Sequence, residues 1–329
     1  MDRRRGRAIA IGAVKAAVGA AVLLMVGRHV AKTWHDFRAN GRTLHVEPAW
    51  MVAASACYLA GLGAFGLYFG RVLESSPAPV GRGAALRAYL ISHLGKYVPG
   101  KAMVVLMRVT LLTNFGGRAT TVTFASFYET LVMMAAGGLI GAIGFAPRAD
   151  QRLPAVASLG LGLVFLAVAT PTVFGRLSRL ASVPFPRVAA DAMPSLSNRL
   201  LGEGLLWAVG GWTLLGLSQV CVALGLSDAP IDVRLWPAIV ASVALATVAG
   251  FAVAVLPGGL GVREGVLMAT LAPAIGAEPA VAASLALRLT WVAGEIAVAA
   301  ALALVRPTPI PSSTPDPADH DQHRDPDPE

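Results

Sequence analysis

Of the 329 residues, 55% are apolar and only 14% charged, and the mean hydropathy is +0.64. A soluble domain carries about 25% charged residues, so a soluble globular chain is excluded. So much apolar content also excludes a disordered chain, and 35 glycines without a G-X-Y period exclude collagen. What remains is an all-α, polytopic integral membrane protein, because the apolar runs are about 20 residues long without the alternation of a barrel strand. The net charge of +8 comes from 27 basic and 19 acidic residues. The basic residues are dispersed rather than striped, which argues against a nucleic-acid partner. They suit anionic lipid headgroups, or simply the positive-inside bias of an inner-membrane protein.

Four arginines between Met1 and Arg7 precede an apolar run at 8–26. The run is long, contains Lys15 and lacks a clear small-x-small cleavage site, so a retained first span is expected rather than a signal peptide. Full spans are expected at about 8–27, 49–69, 119–145, 153–173, 200–226 and 279–304, making 1–305 one membrane domain. Cys57 and Cys221 lie inside apolar runs and read as packed thiols, with no disulfide frame. Residues 306–329 are rich in Pro and Asp and read as a disordered acidic cytoplasmic tail.

Two further apolar regions, at about 84–115 and 235–275, are broken near their middles. The first break is Tyr97-Val98-Pro99-Gly100-Lys101, and the second is Leu256-Pro257-Gly258-Gly259-Leu260-Gly261. Proline removes a helix donor and glycine frees the backbone. A broken helix at membrane depth survives only inside protein or beside a wet cavity. An ordinary loop between two spans fits the second region, whose first half holds about 20 residues, better than the first, whose halves hold about 15 each.

Pro99-Gly100 aligns with Pro257-Gly258, 158 residues later. A short apolar helix with an arginine follows each, Arg108 in one copy and Arg263 in the other. A full span with a charge comes next: Glu129 lies 30 residues after Pro99, and Arg288 lies 31 after Pro257. Opposed broken helices in two copies of one unit are the pattern of an inverted-repeat transporter with a midplane site.

Two nucleotide-like motifs dissolve on inspection. Gly95-Lys96-Tyr97-Val98-Pro99-Gly100-Lys101-Ala102 nearly matches a phosphate-binding loop, but Ala102 lacks the hydroxyl that would hold magnesium and no strand precedes it. Two lysines beside free backbone N–H groups still make a plausible seat for a lipid phosphate. Gly61-Leu62-Gly63-Ala64-Phe65-Gly66 sits mid-span and reads, like Gly137, Gly141 and Gly144, as close helix packing. No G-x-S-x-G, H-E-x-x-H or paired-cysteine zinc spacing occurs, so no catalytic set, metal or cofactor is expected.

The strongest chemical signal is ionisable residues at membrane depth: Lys96, Lys101, Arg108, Glu129, Arg263, Glu264, Arg288 and Glu295. Arg288 and Glu295 are seven apart, so they share one helix face. Pairing the three acids leaves about two cations for an anionic group. The plainer reading is an ion-pair network that holds the repeats together.

These residues also carry a resemblance. The run Ser92-His93-Leu94-Gly95-Lys96-Tyr97-Val98-Pro99-Gly100-Lys101, then Arg108 and Glu129, resembles the lysylphosphatidylglycerol synthase transmembrane-region family. So do Leu256-Pro257-Gly258-Gly259-Leu260-Gly261-Val262-Arg263-Glu264-Gly265 and Arg288-Leu289-Thr290-Trp291. This is the flippase-like membrane domain of bacterial multiple-peptide-resistance factors, also found as a stand-alone protein. The resemblance spans most of 8–305 and implies a helical bundle with two opposed re-entrant elements in the bacterial plasma membrane, moving aminoacylated phosphatidylglycerol between leaflets. The transferase of full-length relatives is a separate cytosolic domain, and only a short tail follows residue 305 here, so lysyl transfer is not expected.

The expected function is therefore binding and movement of an anionic phospholipid, an aminoacyl-phosphatidylglycerol or a polyprenyl-phosphate-linked lipid. Lys96, Lys101, Arg108 and Arg263 would contact phosphate, while Glu129, Glu264, Arg288 and Glu295 set the cavity charge and couple the repeats. The alternative is a non-transporting membrane scaffold or accessory subunit for a separately encoded lipid or glycan enzyme, told apart by tolerance: a scaffold would survive loss of the midplane charges if packing were kept.

With the N-terminus inside, cytoplasmic segments hold 14 Lys and Arg and outside segments hold seven, placing both termini in the cytoplasm. Cysteine labelling of intact cells at a site introduced near Asp319 should fail until the membrane is permeabilised. Ready labelling from outside would overturn the orientation.

Overall fold

The computed structural model describes residues 46–77, 79–97, 102–181, 193–227, 231–252 and 262–305. The expected first span, the tail, Lys101 and the helix breaks Pro99, Gly100, Pro257, Gly258, Gly259 and Gly261 lie outside the described residues. The described chain is all-α. Its helices are α1 Pro48–Glu74, α2 Arg82–Ser92, α3 Ala102–Thr113, α4 Ala119–Phe145, α5 Arg152–Ala169, α6 Pro171–Ala181, α7 Asn198–Gly225, α8 Trp236–Ala252, α9 Val262–Ile275 and α10 Ala277–Leu304. A 3-10 segment, His93–Tyr97, continues α2.

Local chemistry sets several boundaries. Proline opens α1 where its missing N–H costs nothing. The Ser197 hydroxyl caps α7 by accepting from the Leu200 N–H at 3.1 Å. Gly276, at φ +90°, ends α9, and its N–H reaches the Ala272 carbonyl at 2.9 Å. Thr170 is extended ahead of Pro171, so the span expected at 153–173 stops at Ala169 and a separate short helix follows.

Among the described residues, six helical stretches are long and apolar enough to cross a membrane: 48–74, 119–145, 149–169, 198–225, 233–252 and 277–304. The fifth is the first arm of the second broken region, and its 20 residues span about 30 Å. The arms of the first region are shorter. Helices α2 and α3, with 11 and 12 residues, reach only about 17–18 Å each.

Backbone contacts sort the helix termini into two groups. At one end the Ser195 N–H meets the Ser75 carbonyl at 2.9 Å, and Arg71 pairs with Glu203 at 3.1 Å. There Arg87 also donates to the Leu302 carbonyl at 2.9 Å, joining α2 to the end of α10. Gly117, just past α3, sits against Val80, just before α2. At the other end the Glu47 N–H reaches the Gly225 carbonyl at 3.0 Å. Gln151 donates to the Thr270 carbonyl at 2.8 Å, Arg148 donates to that of Pro273 at 3.4 Å, and Gly144 lies against Pro237.

Small residues let these helices approach, as van der Waals packing in lipid requires. Gly138 of α4 meets the backbone of Gly162 on α5, Gly137 takes the Trp212 ring, and Gly141 faces Ser158. On α1, Gly61 packs on Leu215 and Gly66 on Leu86 and Tyr89, whereas Gly63 of the same motif faces open space. A methyl group at Gly138 would strike backbone that cannot swing aside. Gly138→Ala should therefore lower stability by about 1–3 kcal/mol. Gly160→Ala, on open space, should be neutral or raise stability by up to about 1 kcal/mol. Thermal unfolding in detergent checks both.

Candidate functional site

The charges predicted at membrane depth meet in three ion pairs. The first ties α3 to α4. Arg108, 3% exposed, lies between the rings of Phe69 and Tyr89, at 4.7 and 4.1 Å from their centroids. Its Nη1 is 3.3 Å from Glu129 Oε2, and its Nε donates to Ser92 Oγ at 3.3 Å. The Tyr89 hydroxyl donates to Glu129 Oε1 at 2.9 Å, so both carboxylate oxygens are engaged. That answers the need of a buried charge for a partner and for further hydrogen bonds.

The second pair joins α9 to α10, through Glu264 Oε1 and Arg288 Nη1. The signs are exchanged relative to the first pair. In α3 and α4 the short helix carries the cation and the long helix the acid, while in α9 and α10 the short helix carries the acid.

The third pair crosses between the two regions. Lys96, in the 3-10 segment after α2, sits 2.5 Å from Oε1 of Glu295 on α10. The Tyr58 hydroxyl of α1 donates to the same oxygen, and Lys96 donates to the Tyr58 oxygen at 3.1 Å. His93 Nε2 stands 3.9 Å from it. Glu295 is fully buried, and its Oε2 has no hydrogen-bond partner.

Arg263 differs from these. No carboxylate among the described residues pairs with it. Its guanidinium lies 4.5 Å over the Trp291 ring, which stacks on Tyr58 at 4.1 Å and donates its N–H to Ser218 Oγ at 2.9 Å. Arginine over indole keeps its N–H fork free at the edges.

A cavity of about 280 Å³ collects these groups. Lys96, Arg108, Arg263 and Glu129 line it on the polar side, and Leu62, Phe65, Phe127, Met133, Phe251 and Trp212 on the apolar side. A smaller pocket of about 30 Å³, the size of one water, lies between Lys96, Tyr97, Arg263, Glu264 and Arg288. Among the described residues no three His, Cys, Asp or Glu gather as a metal site.

Seven of the eight depth charges are thus described, and six of those seven form the three pairs. Tyr58 and Tyr89, which orient these charges, were not singled out from the sequence, and Trp291 was named only within the Arg288–Trp291 motif. The signal available was a polar aromatic deep in an apolar run: Tyr58 lies ten residues into α1.

A family model described as the lysylphosphatidylglycerol synthase TM region matches residues 10–299. No curated protein matches the chain.

Removing one member of the Arg108–Glu129 pair leaves a buried charge uncompensated. Glu129→Gln should cost about 3–5 kcal/mol of stability. The double variant Arg108→Met with Glu129→Gln should recover most of that loss, because both charges are gone. Denaturation of the purified variants in detergent measures both; an unchanged Glu129→Gln would remove the pairing from the account of stability.

Proposed function

The chain belongs to the lysylphosphatidylglycerol synthase TM-region family and is a multi-pass, lipid-related membrane protein; from that premise we propose that it binds an anionic lipid in this cavity and moves it between leaflets. The observation that carries this reading is charge balance. Glu129, Glu264 and Glu295 neutralise Arg108, Arg288 and Lys96. Arg263 is left facing the cavity without a carboxylate among the described residues. A phosphate supplies the missing negative charge and accepts two N–H bonds from the fork at once.

In this reading Arg263 is the anchor, Lys96 and Lys101 add point charges, and Arg108 shapes the wall. The apolar face of Phe65, Met133 and Trp212 takes an acyl or prenyl chain. Phosphatidylglycerol, its aminoacyl form and a polyprenyl-phosphate-linked lipid all present the required group. The contacts of Val80 with Gly117 and of Pro273 with Arg148 support two broken regions that return to the end they entered from, at opposite ends of the bundle. Such a pair of opposed elements around one site suits alternating access. We place the protein in the bacterial plasma membrane with both termini cytoplasmic, acting without transferase chemistry of its own; a separately encoded transferase would supply an aminoacylated substrate.

Liposomes containing the purified chain should bind phosphatidylglycerol over phosphatidylcholine, and a fluorescent phosphatidylglycerol should become accessible to dithionite. Arg263→Lys should weaken the preference although its charge is kept, because the fork is lost. Equal binding of both lipids, together with an Arg263→Ala variant unchanged in binding and movement, would favour the scaffold reading.

A further inference from the structure

The cavity wall and the buried carboxylate behind it are chemically linked through one side chain. Lys96 lines the cavity, while its partner Glu295 does not. Around Glu295 stand Tyr58 from α1, His93, Lys96 and Tyr97 from the 3-10 segment, and Arg263 from α9, with Arg288 two turns back on its own helix. Within 4.0 Å of its carboxylate, Lys96 is the one ammonium or guanidinium among the described residues, and Oε2 has no hydrogen-bond partner.

We propose that Glu295 takes up a proton when a lipid phosphate in the cavity draws Lys96 away, so that lipid and proton bind together. This rests on the anionic-lipid reading above and names its coupling ion. Without lipid, Lys96 and Glu295 cancel each other's charge. A phosphate beside Arg263 offers the flexible lysine ammonium a second acceptor across the same cavity. Once the ammonium has moved, an ionised Glu295 would be a lone charge in a fully buried position, and it binds a proton instead.

The balance closes in both states. Lys96 stays an ammonium throughout. Its ion pair with the carboxylate breaks, its pair with the phosphate forms, and one O–H bond forms on Glu295 with a proton drawn from water. His93 provides the route, since it lines the cavity and stands 3.9 Å from the carboxylate. One ring nitrogen gains a proton from the cavity side as Nε2 gives its own to the carboxylate, and the ring, neutral again in its other tautomer, resets by proton exchange with water. By linkage, acidification strengthens lipid binding, and lipid binding strengthens proton binding by the same factor.

The test is calorimetric titration of the purified full chain in detergent with short-chain phosphatidylglycerol, in two buffers of different ionisation enthalpy. The comparison yields binding and proton uptake from one sample. The wild type should take up about one proton per lipid bound. Glu295→Gln should bind the lipid with uptake near zero. Lys96→Met should do the same with weaker binding, because its Glu295 already carries the proton; this second variant stands in if the first fails to fold. His93→Gln should slow uptake but keep its stoichiometry. Wild-type binding without proton uptake, or uptake that persists in Glu295→Gln, would overturn the coupling and leave the lipid site standing. No binding by the wild type would overturn the lipid reading and the coupling with it.

Discussion

A charge placed in hydrocarbon must find a counter-charge, and the rest of this structure depends on how that demand is met. Three acids and three cations meet in the described bundle, two of the pairs joining consecutive helices and the third, Lys96 with Glu295, joining segments 199 residues apart. The long helices α4 and α10 serve as posts that bring Glu129 and Arg288 to depth. The short helices α3 and α9 bring the opposite charges to them. Lys96 and Glu295 then tie the first broken region to the last helix. Dispersion contacts at the glycine seams fix how closely these posts stand, so the ion pairs form between elements already held in place.

The pairs differ in what surrounds them. Arg108 and Glu129 are enclosed by Phe69, Tyr89 and Ser92, with every charged oxygen occupied. That is the environment of a structural contact. Glu295 is enclosed as well, but one of its oxygens is unsatisfied, and its partner Lys96 also borders open volume. Arg108 and Lys96 both border the cavity, and either acid would be left buried without a counter-charge if its partner moved; what sets Glu295 apart is an oxygen without a hydrogen-bond partner, where both oxygens of Glu129 are engaged.

Much of this was legible in the residues themselves. Among the described residues the long apolar runs are helices, because runs of that length have few other ways to satisfy their backbone in lipid. The depth charges stood out for the same reason. What could not be read was who pairs with whom. Lys96 and Glu295 are 199 residues apart, and nothing local distinguishes Glu295 from Glu129 or Glu264 as its partner. Tyr58 and Tyr89 were hidden because an aromatic residue in an apolar run looks like ordinary core until a charge is found beside it. The stop at Ala169 is the opposite case: Pro171 marked it, but hydropathy averaged over a window runs past a single proline.

The unequal arms of the two broken regions have a mechanical consequence. Helix α8 with its leading turn is as long as the bilayer core is thick, so it is a strut. Helix α2 reaches only about half as far and is fastened at its base, where Arg82 meets Glu74 at 2.5 Å and Arg87 holds the end of α10. At its far end Gly95 lies against the backbone of Val104 and Lys96 is tied to Glu295, so the short helix is held at both ends. The length of a single short helix thus sets how far inside the bundle that ammonium is held.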